Sequence, residues 1–303
     1  MAHGEVFRLT AQRRKVVATR NEGSEMMSPL NSRLIACAAV VAASLSFSTT
    51  TALAEEGVHL ASHRAAYDVS LASVRDGVGI NDVTGQIAYG VEKVCGGWLL
   101  AQSGTMNLHL ATGEVAPQTV HYSSWEADDA SQFRFSVKSG DGTGKSGEDV
   151  ILGTAQARPN AQGSVSFTRP EPKQFDLPAG TAFPMAHTSF LINAARAGQN
   201  QAERYVFEGT DVEGVKLLVA FISPLSEVAK GVQSKLGGQL INRPGWSFRL
   251  AYFDPQSQTG EPLYEVEADM LDNGVALRWV VDYGVYAVNI QLNKIERLVK
   301  PRC

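Results

Sequence analysis

Apolar and polar residues alternate with a period of two along most of the chain after residue 58. Runs such as HRAAYDVSLAS and GWLLAQSGTMNLHLA place every second side chain on one face, which is the pattern of a half-buried β-strand. The dipeptide Asn273-Gly274 between two such runs is typical of a tight hairpin. About fourteen runs can be counted, too many for a flat open sheet. The pattern therefore predicts an all-β fold, an antiparallel sheet that curls into a broken barrel.

One segment departs from the period of two. FPMAHTSFLINAARAGQ, at residues 183–199, has helical spacing at Met185, Ile192 and Ala195, with Pro184 suited to a first helical turn. Gly198 is a suitable C-cap. The sequence thus predicts a single amphipathic helix, which plugs or covers the curled sheet.

Two further segments are interpreted by the same criteria. SKLGGQLI, at 234–241, is counted among the strands. The proline-rich PEPKQFDLPAGTA, at 170–182, is interpreted as an extended connection between the two halves of the chain.

The first 54 residues have the layout of an export signal. A positive region ends at Arg33, an apolar run LIACAAVVAASLSF follows, and Ala52-Leu53-Ala54 is a small-residue cleavage signature. We therefore predict an over-extended start at 1–25, a secretory signal peptide at 26–54 and a single domain at 55–303. Cys37 lies within the apolar run and is expected to be removed with it. The expected location of the mature protein is the periplasm.

The charge of the remaining chain is acidic. The first 54 residues hold six of the 27 Lys and Arg and three of the 31 Asp and Glu, so the rest has a net charge of −7. Nucleic acid and anionic lipid surfaces attract basic proteins, and this balance argues against both as partners.

Two cysteines remain after the predicted cleavage, Cys95 and the terminal Cys303. An oxidising compartment favours pairing them, and two free thiols are the alternative. Such a bridge would close most of the chain into a loop and stabilise the fold by about 4–5 kcal/mol through loop entropy.

The stretch SGDGTGKSGE, at 139–148, resembles the end of a nucleotide-binding P-loop. Ser139 stands where that motif needs glycine, and the following residues have the pattern of a strand rather than of a helix. Without a helix N-terminus no phosphate cradle forms. We predict a hairpin loop here and no nucleotide.

The sequence carries no hydrolase or zinc motif, and it predicts no cofactor, no metal and no enzyme. His187, near the start of the predicted helix, is the most interesting histidine, because a general base would need a nucleophile within reach. The acidic turn SSWEADDA, at 123–130, offers oxygen ligands for calcium, but a solvated turn is favoured because the twelve-residue loop is absent.

The four tryptophans lie in or beside predicted strands. They are interpreted as core anchors, and a minority of them are candidates for lining a cavity. They are Trp98, Trp125, Trp246 and Trp279. An outer-membrane barrel is the alternative architecture, but charged residues on both faces of runs such as YEVEADM disfavour a lipid-facing sheet.

Several strings resemble, in order, those of the cell-envelope integrity EipB family of alphaproteobacterial periplasmic proteins. The strings are HRAAYDVSLAS, VCGGWLL, SSWEADDASQFRF, FDLPAGTAFPMAHTSFLINAARAGQ, VFEGTDVEGV, RPGWSFRLAYFD, NGVALRWVVDYG and KPRC. The resemblance implies a β-spiral of about fourteen strands with a helix against it, a Cys95–Cys303 disulfide and a role in envelope maintenance. It supplies no catalytic residue. The amino-terminal extension and the lysine-bearing hairpin at 139–147 depart from it.

Three functions are considered. The favoured one is a non-enzymatic periplasmic factor that supports envelope integrity through envelope or periplasmic partner proteins. The alternative is a carrier or sensor of a lipid-like, apolar ligand in a half-barrel cavity. A hydrolase using His187 or an acidic pair is the third. The residues proposed for a ligand or partner surface are His187, Phe190, Trp98 and Trp125.

Overall fold

The computed structural model of the chain describes residues 57–144, 147–299 and 303. The predicted start, the signal peptide with Cys37 and the cleavage point at Ala54 lie outside the described residues. Lys145 and Ser146 of the P-loop-like stretch lie outside them as well. The flanking strands end at Gly140 and begin at Glu148, and these two residues pair across the loop. The segment is therefore the predicted hairpin.

Fourteen antiparallel strands form a single sheet in the described part of the chain. The strands are β1 (His63–Val74), β2 (Ile80–Val94), β3 (Gly97–Leu110), β4 (Val115–Ala127), β5 (Gln132–Gly140), β6 (Glu148–Arg158), β7 (Ala161–Arg169), β8 (Lys173–Leu177), β9 (Gln201–Val206), β10 (Lys216–Pro224), β11 (Gly245–Phe253), β12 (Tyr264–Leu271), β13 (Ala276–Asp282) and β14 (Tyr286–Arg297). This confirms the all-β, antiparallel architecture that the period-two pattern predicted.

The first and last strands lie side by side in the interior of the sheet. The spatial order is β8-β7-β6-β5-β4-β3-β2-β1-β14-β13-β12-β11-β10-β9. The β1–β14 pairing runs from His63 opposite Arg297 to Val74 opposite Tyr286. Every other pairing joins strands that follow each other in sequence, so the two free edges, β8 and β9, come from the middle of the chain.

The two edge strands are not paired in a ladder, and they approach each other through aromatic side chains and one parallel bridge between Ala182, after β8, and Val206 of β9. Six phenylalanines form a buried cluster with ring centroids 4.8–6.3 Å apart. They are Phe133, Phe135, Phe167, Phe175, Phe183 and Phe207. Phe207 follows β9, and it contacts Phe175 of β8 at 6.1 Å. The sheet thus curls until its ends meet across a hydrophobic seam.

A glycine is required in this seam. Gly209 has φ +68°, and a Cβ atom there would lie 2.4 Å from the ring of Phe135. Both the left-handed backbone and the close ring favour a residue without a side chain. The chain that leaves β9 is therefore fixed tightly against β5.

Two α-helices lie in the described residues, α1 (Pro184–Arg196) and α2 (Glu227–Leu236). The first is the predicted helix, with proline in its first turn and Gly198 left-handed at φ +72° just after its C-cap, Ala197. Its buried face packs into the largest hydrophobic cluster. That face consists of Met185, Leu191, Ile192, Ala194 and Ala195.

The prediction of a single helix was wrong, because α2 was missed. SKLGGQLI is not a strand: its first three residues end α2, and turns follow. Conversely, part of the proline-rich connection forms the edge strand β8. The strand count was right because one false strand replaced one missed strand. Proline flanks β8 on both sides, which is tolerated at a sheet edge.

The predicted disulfide is present. Cys95, in the turn between β2 and β3, is bonded to Cys303, at a sequence separation of 208 and a Cα–Cα distance of 5.7 Å. Both residues are exposed. No helix in the described residues is long and apolar enough to span a membrane.

Candidate functional site

The curled sheet surrounds a partly open cavity of about 500 Å³. Ten strands, all except β7 to β10, contribute residues to its wall, and α1 covers it with Pro184, His187, Thr188 and Leu191. An engineered cavity of about 150 Å³ holds one benzene molecule. The interior therefore has room for a ligand several times larger.

The wall is mostly apolar because alternate residues of each strand face inward. In β2 and β3 the inward residues are two positions apart, and they pair across the strands in register. The apolar lining residues include Ile87, Leu100, Met106, Val120, Val137, Ile151, Phe248, Leu250, Val266, Trp279, Val288 and Ile290. Such a lining suits an apolar ligand.

A buried carboxylate positions the covering helix. Glu126, 2% exposed at the end of β4, accepts hydrogen bonds from the backbone N–H groups of Met185 (2.7 Å) and Ala186 (2.9 Å). The N-cap residue Phe183 has no side-chain oxygen, so Glu126 serves α1 in its place. Burial raises the pKa of Glu126 to about 7, against the two N–H bonds, which lower it.

This contact corrects the interpretation of the acidic turn. Glu126 is not solvated but buried. The next two acidic residues are exposed: Asp128 pairs with Lys93, and Asp129 accepts hydrogen bonds from Ser131. Nowhere in the described residues do three His, Cys, Asp or Glu side chains come together as a metal site.

His187 lies on the cavity side of α1 and is 6% exposed. Its Nδ1 atom has no hydrogen-bond partner in the described structure. Burial, and then the charge of Arg204, lower the pKa of His187 to about 4, so the ring is neutral near pH 7. Among the described residues no carboxylate forms a hydrogen bond or ion pair with His187, so the acidic partner that would orient a general base is not found there.

Glu208 is the acidic residue of the cavity wall. It follows β9, and its backbone carbonyl accepts a hydrogen bond of 2.9 Å from the hydroxyl of Tyr122. Burial raises the pKa of its carboxyl, Lys216 lowers it, and Asp211 raises it again. Sequence analysis did not single out Glu208, because a glutamate next to a strand is ordinarily a solvated residue.

Comparison with known proteins decides the family. A family model described as EipB-like matches residues 54–299. The chain belongs to the EipB-like family. A curated relative, the cell envelope integrity protein EipB of Brucella abortus (strain 2308), is 26% identical over 253 residues, covering 81% of this chain and 87% of the relative.

A solved structure supports the same fold for this EipB-like chain. The crystal structure of a beta-barrel-like protein of a domain of unknown function, DUF1849, from Brucella abortus is similar with a TM-score of 0.68. It is 23% identical and covers 80% of this chain and 100% of that one. The family resemblance inferred from the ordered strings is thereby confirmed.

The structure places the four predicted surface residues of this EipB-like protein differently. His187 lines the cavity, whereas Phe190, Trp98 and Trp125 do not. Phe190 lies under the Arg204 guanidinium at 4.8 Å, Trp98 near Lys93 at 5.6 Å and Trp125 near Arg134 at 5.2 Å. Their part in a ligand or partner surface stays a prediction.

The four tryptophans are half-buried, and Trp98, Trp246 and Trp279 pack against the buried hydrophobic clusters, as predicted for core anchors. Trp279 also lines the cavity. It packs against Tyr67 at 4.7 Å between ring centroids. The pattern of strand residues could have indicated that Trp279 faces inward. It could not have indicated that the interior is hollow at that point.

Proposed function

We propose that this chain acts in the periplasm and supports the integrity of the cell envelope by holding an apolar, lipid-like ligand inside its curled sheet. The observation that carries the proposal is the cavity of about 500 Å³ with a mostly apolar wall. Ligand sites in proteins measure about 300–1,000 Å³, are mainly apolar and contain few polar groups. This cavity has all three properties.

The envelope role is supported by family membership and by the name of the Brucella relative, a cell envelope integrity protein. The periplasmic location is supported by the predicted signal peptide and by a disulfide, which persists in oxidising compartments. Neither of these says how the role is performed. The cavity suggests how.

We rank a ligand above partner proteins as the means of action. A docking surface is expected to expose a contiguous apolar patch. The large hydrophobic residues that the described structure exposes come from six different segments. They are Val74, Leu99, Val115, Phe221, Val228 and Val299. The wall of the interior cavity, by contrast, is a continuous and mostly apolar surface that can receive a ligand.

The test fills the cavity without changing the surface. Val120 and Val266 are half-buried and line the cavity from β4 and β12. Val120→Trp and Val266→Trp would each place an indole in the space. Val115→Trp, at a 47% exposed position of β4, is the matched control. Each variant is expressed in a strain that lacks the gene, and its sensitivity to detergent and to cell-wall antibiotics is measured.

We expect the wild type and Val115→Trp to restore resistance, and the two cavity-filling variants to fail although they are exported and folded. Circular dichroism and thermal melting of the purified variants check folding. Two cavity positions are used because overpacking can unfold one of them. Full rescue by a folded, cavity-filled variant would contradict the proposal and would favour action through partner proteins.

A further inference from the structure

Glu208 is held rigidly in the cavity wall. Its neighbours Phe207 and Gly209 are buried in the phenylalanine cluster, and its carbonyl is bound by the Tyr122 hydroxyl. The backbone therefore cannot swing the side chain out of the interior without breaking the seam of the sheet. Glu208 lines the cavity and is only half-buried, so the exposed part of its side chain faces the space in which a ligand would lie.

The carboxyl of Glu208 has no hydrogen bond or ion pair with any described residue. The cation whose charge reaches it is Lys216, and that ammonium group is 2.5 Å from an oxygen of Asp211. Lys216 is thus already neutralised by another carboxylate. Glu208 is half-buried, and a carboxyl without a partner in a mostly apolar wall is costly, so in native proteins it commonly marks a functional position.

Several tyrosines share the cavity wall with Glu208. The charge of Glu208 acts on four tyrosines, of which Tyr89, Tyr122 and Tyr252 line the cavity. The fourth, Tyr264, stacks on Tyr252 with 4.5 Å between ring centroids. Tyrosine faces attract cations, and aromatic cages are a known means of binding ammonium groups. A carboxylate among tyrosines therefore forms an environment for a cation.

We propose that Glu208 binds the amine end of an amphiphilic ligand, whose alkyl part occupies the apolar remainder of the cavity. This assignment rests on the proposed function, which it makes more specific by naming the head group. The carboxylate of Glu208 has no N–H donor and no cation of its own. An amine head group supplies both. An anionic head group would instead face Glu208 with a like charge, and an alcohol would supply a single neutral hydrogen bond.

The test compares head groups on one alkyl chain. Purified protein is loaded with the neutral fluorescent probe N-phenyl-1-naphthylamine at pH 8. Decylamine, decanol and decanoate then displace the probe below their micelle concentrations. We expect decylamine to bind at least about tenfold more tightly than decanol, and decanoate more weakly than either, since a charge-assisted hydrogen bond is about twice as strong as a neutral one.

Glu208→Gln keeps the shape of the side chain and removes its charge. We expect this variant to lose the preference for decylamine while its affinity for decanol stays unchanged. Glu203→Gln, at an exposed position of β9, is the matched control and should keep the preference. Thermal melting should show Glu208→Gln to be at least as stable as the wild type, because a neutral amide replaces an unpaired, half-buried acid in an apolar wall.

Three results would overturn the assignment. Equal displacement by the three amphiphiles would leave the cavity as a ligand site but remove Glu208 as its amine receptor. Tightest binding of decanoate, or an amine preference that survives in Glu208→Gln, would do the same. If the probe itself does not bind the wild type, the proposed function fails as well, so the two failures are distinguishable.

Discussion

Glu126 connects the sheet to the helix that covers the cavity, and its contribution can be measured by removing it. Glu126→Ala would leave the N–H groups of Met185 and Ala186 without acceptors in a buried place. The free energy of unfolding should fall by about 1–3 kcal/mol. Chemical denaturation measures it. Asp128→Ala, two residues away, breaks an exposed pair with Lys93 and should cost less than about 1 kcal/mol. Equal losses in the two variants would contradict the assigned role.

The same carboxyl should make stability depend on pH. Burial raises the pKa of Glu126 from 4.5 to about 7. Between these values the folded state binds more protons than the unfolded state, so stability falls as pH rises. Glu126→Gln removes this dependence. Its stability relative to the wild type should therefore increase from pH 4.5 to pH 7, by at most about 3 kcal/mol. A constant difference across that range would contradict the prediction.

His187 should act in the opposite direction. Its pKa falls from 6.5 to about 4, so below pH 6.5 the unfolded chain takes up a proton that the folded chain refuses. Stability is lost as pH falls through this range. His187→Gln should lose less stability than the wild type between pH 6.5 and pH 4, as measured by urea denaturation. An unchanged slope would show that the ring has access to solvent.

Single residues of the site were only partly predictable from the sequence. His187 was a candidate because histidines titrate near neutral pH and because it stands near a helix start. The capping role of Glu126 was not recognised, because the helix that it caps begins 58 residues later. Glu208 was not singled out, because a glutamate next to a strand is ordinarily solvated. Only the packing that excludes water around them separates these glutamates from solvated ones.

At the scale of elements, α2 depends on its N-cap residue, Ser226. The hydroxyl of Ser226 accepts a hydrogen bond from the N–H of Ala229 and donates one of 2.9 Å to Asp269, which is fully buried. Ser226→Ala removes the cap and one partner of a buried carboxylate. We expect a loss of about 1–3 kcal/mol in the free energy of unfolding. Ser234→Ala, exposed within the same helix, should be close to neutral.

A loss at Ser226 no larger than at Ser234 would contradict this role.

The capping serine was also the signal that sequence analysis overlooked. Ser226 is followed by Glu227 in the first turn and by apolar residues at Ala229 and Val232, a helical spacing. Instead, SKLGGQLI was predicted to be a strand because the segments on both sides of it have a strand pattern. Strands such as β1 and β5 were predicted correctly because apolar and polar residues alternate in their sequences. In the structure, burial alternates along them in the same way.

At the scale of the whole molecule, one covalent bond joins the β2–β3 turn to the end of the chain. Loop entropy assigns it a stabilisation of about 4–5 kcal/mol. Cys95→Ser should lower the free energy of unfolding by up to that amount. The wild type measured in dithiothreitol should lose the same amount, and the variant should not respond to the reductant. A variant as stable as the oxidised wild type would contradict this contribution.

The curled shape was predictable from the number and alternation of strands, but the hollow interior was not. Alternation assigns residues such as Val120 and Leu250 to the inner face, and it is equally consistent with a filled core. Whether inner side chains meet across the space depends on the curvature of the sheet. That curvature is set by long-range contacts, such as those between Phe207 and the rings of β5 and β8.

The most direct measurement is native mass spectrometry of the protein purified from the envelope fraction without detergent. The wild type and Val115→Trp should each carry a bound apolar molecule that organic solvent extracts, and Val120→Trp and Val266→Trp should be found mainly as the bare chain. A wild type that carries nothing, or folded cavity-filled variants that carry as much as the wild type, would contradict the claim that the interior of the sheet is a ligand site.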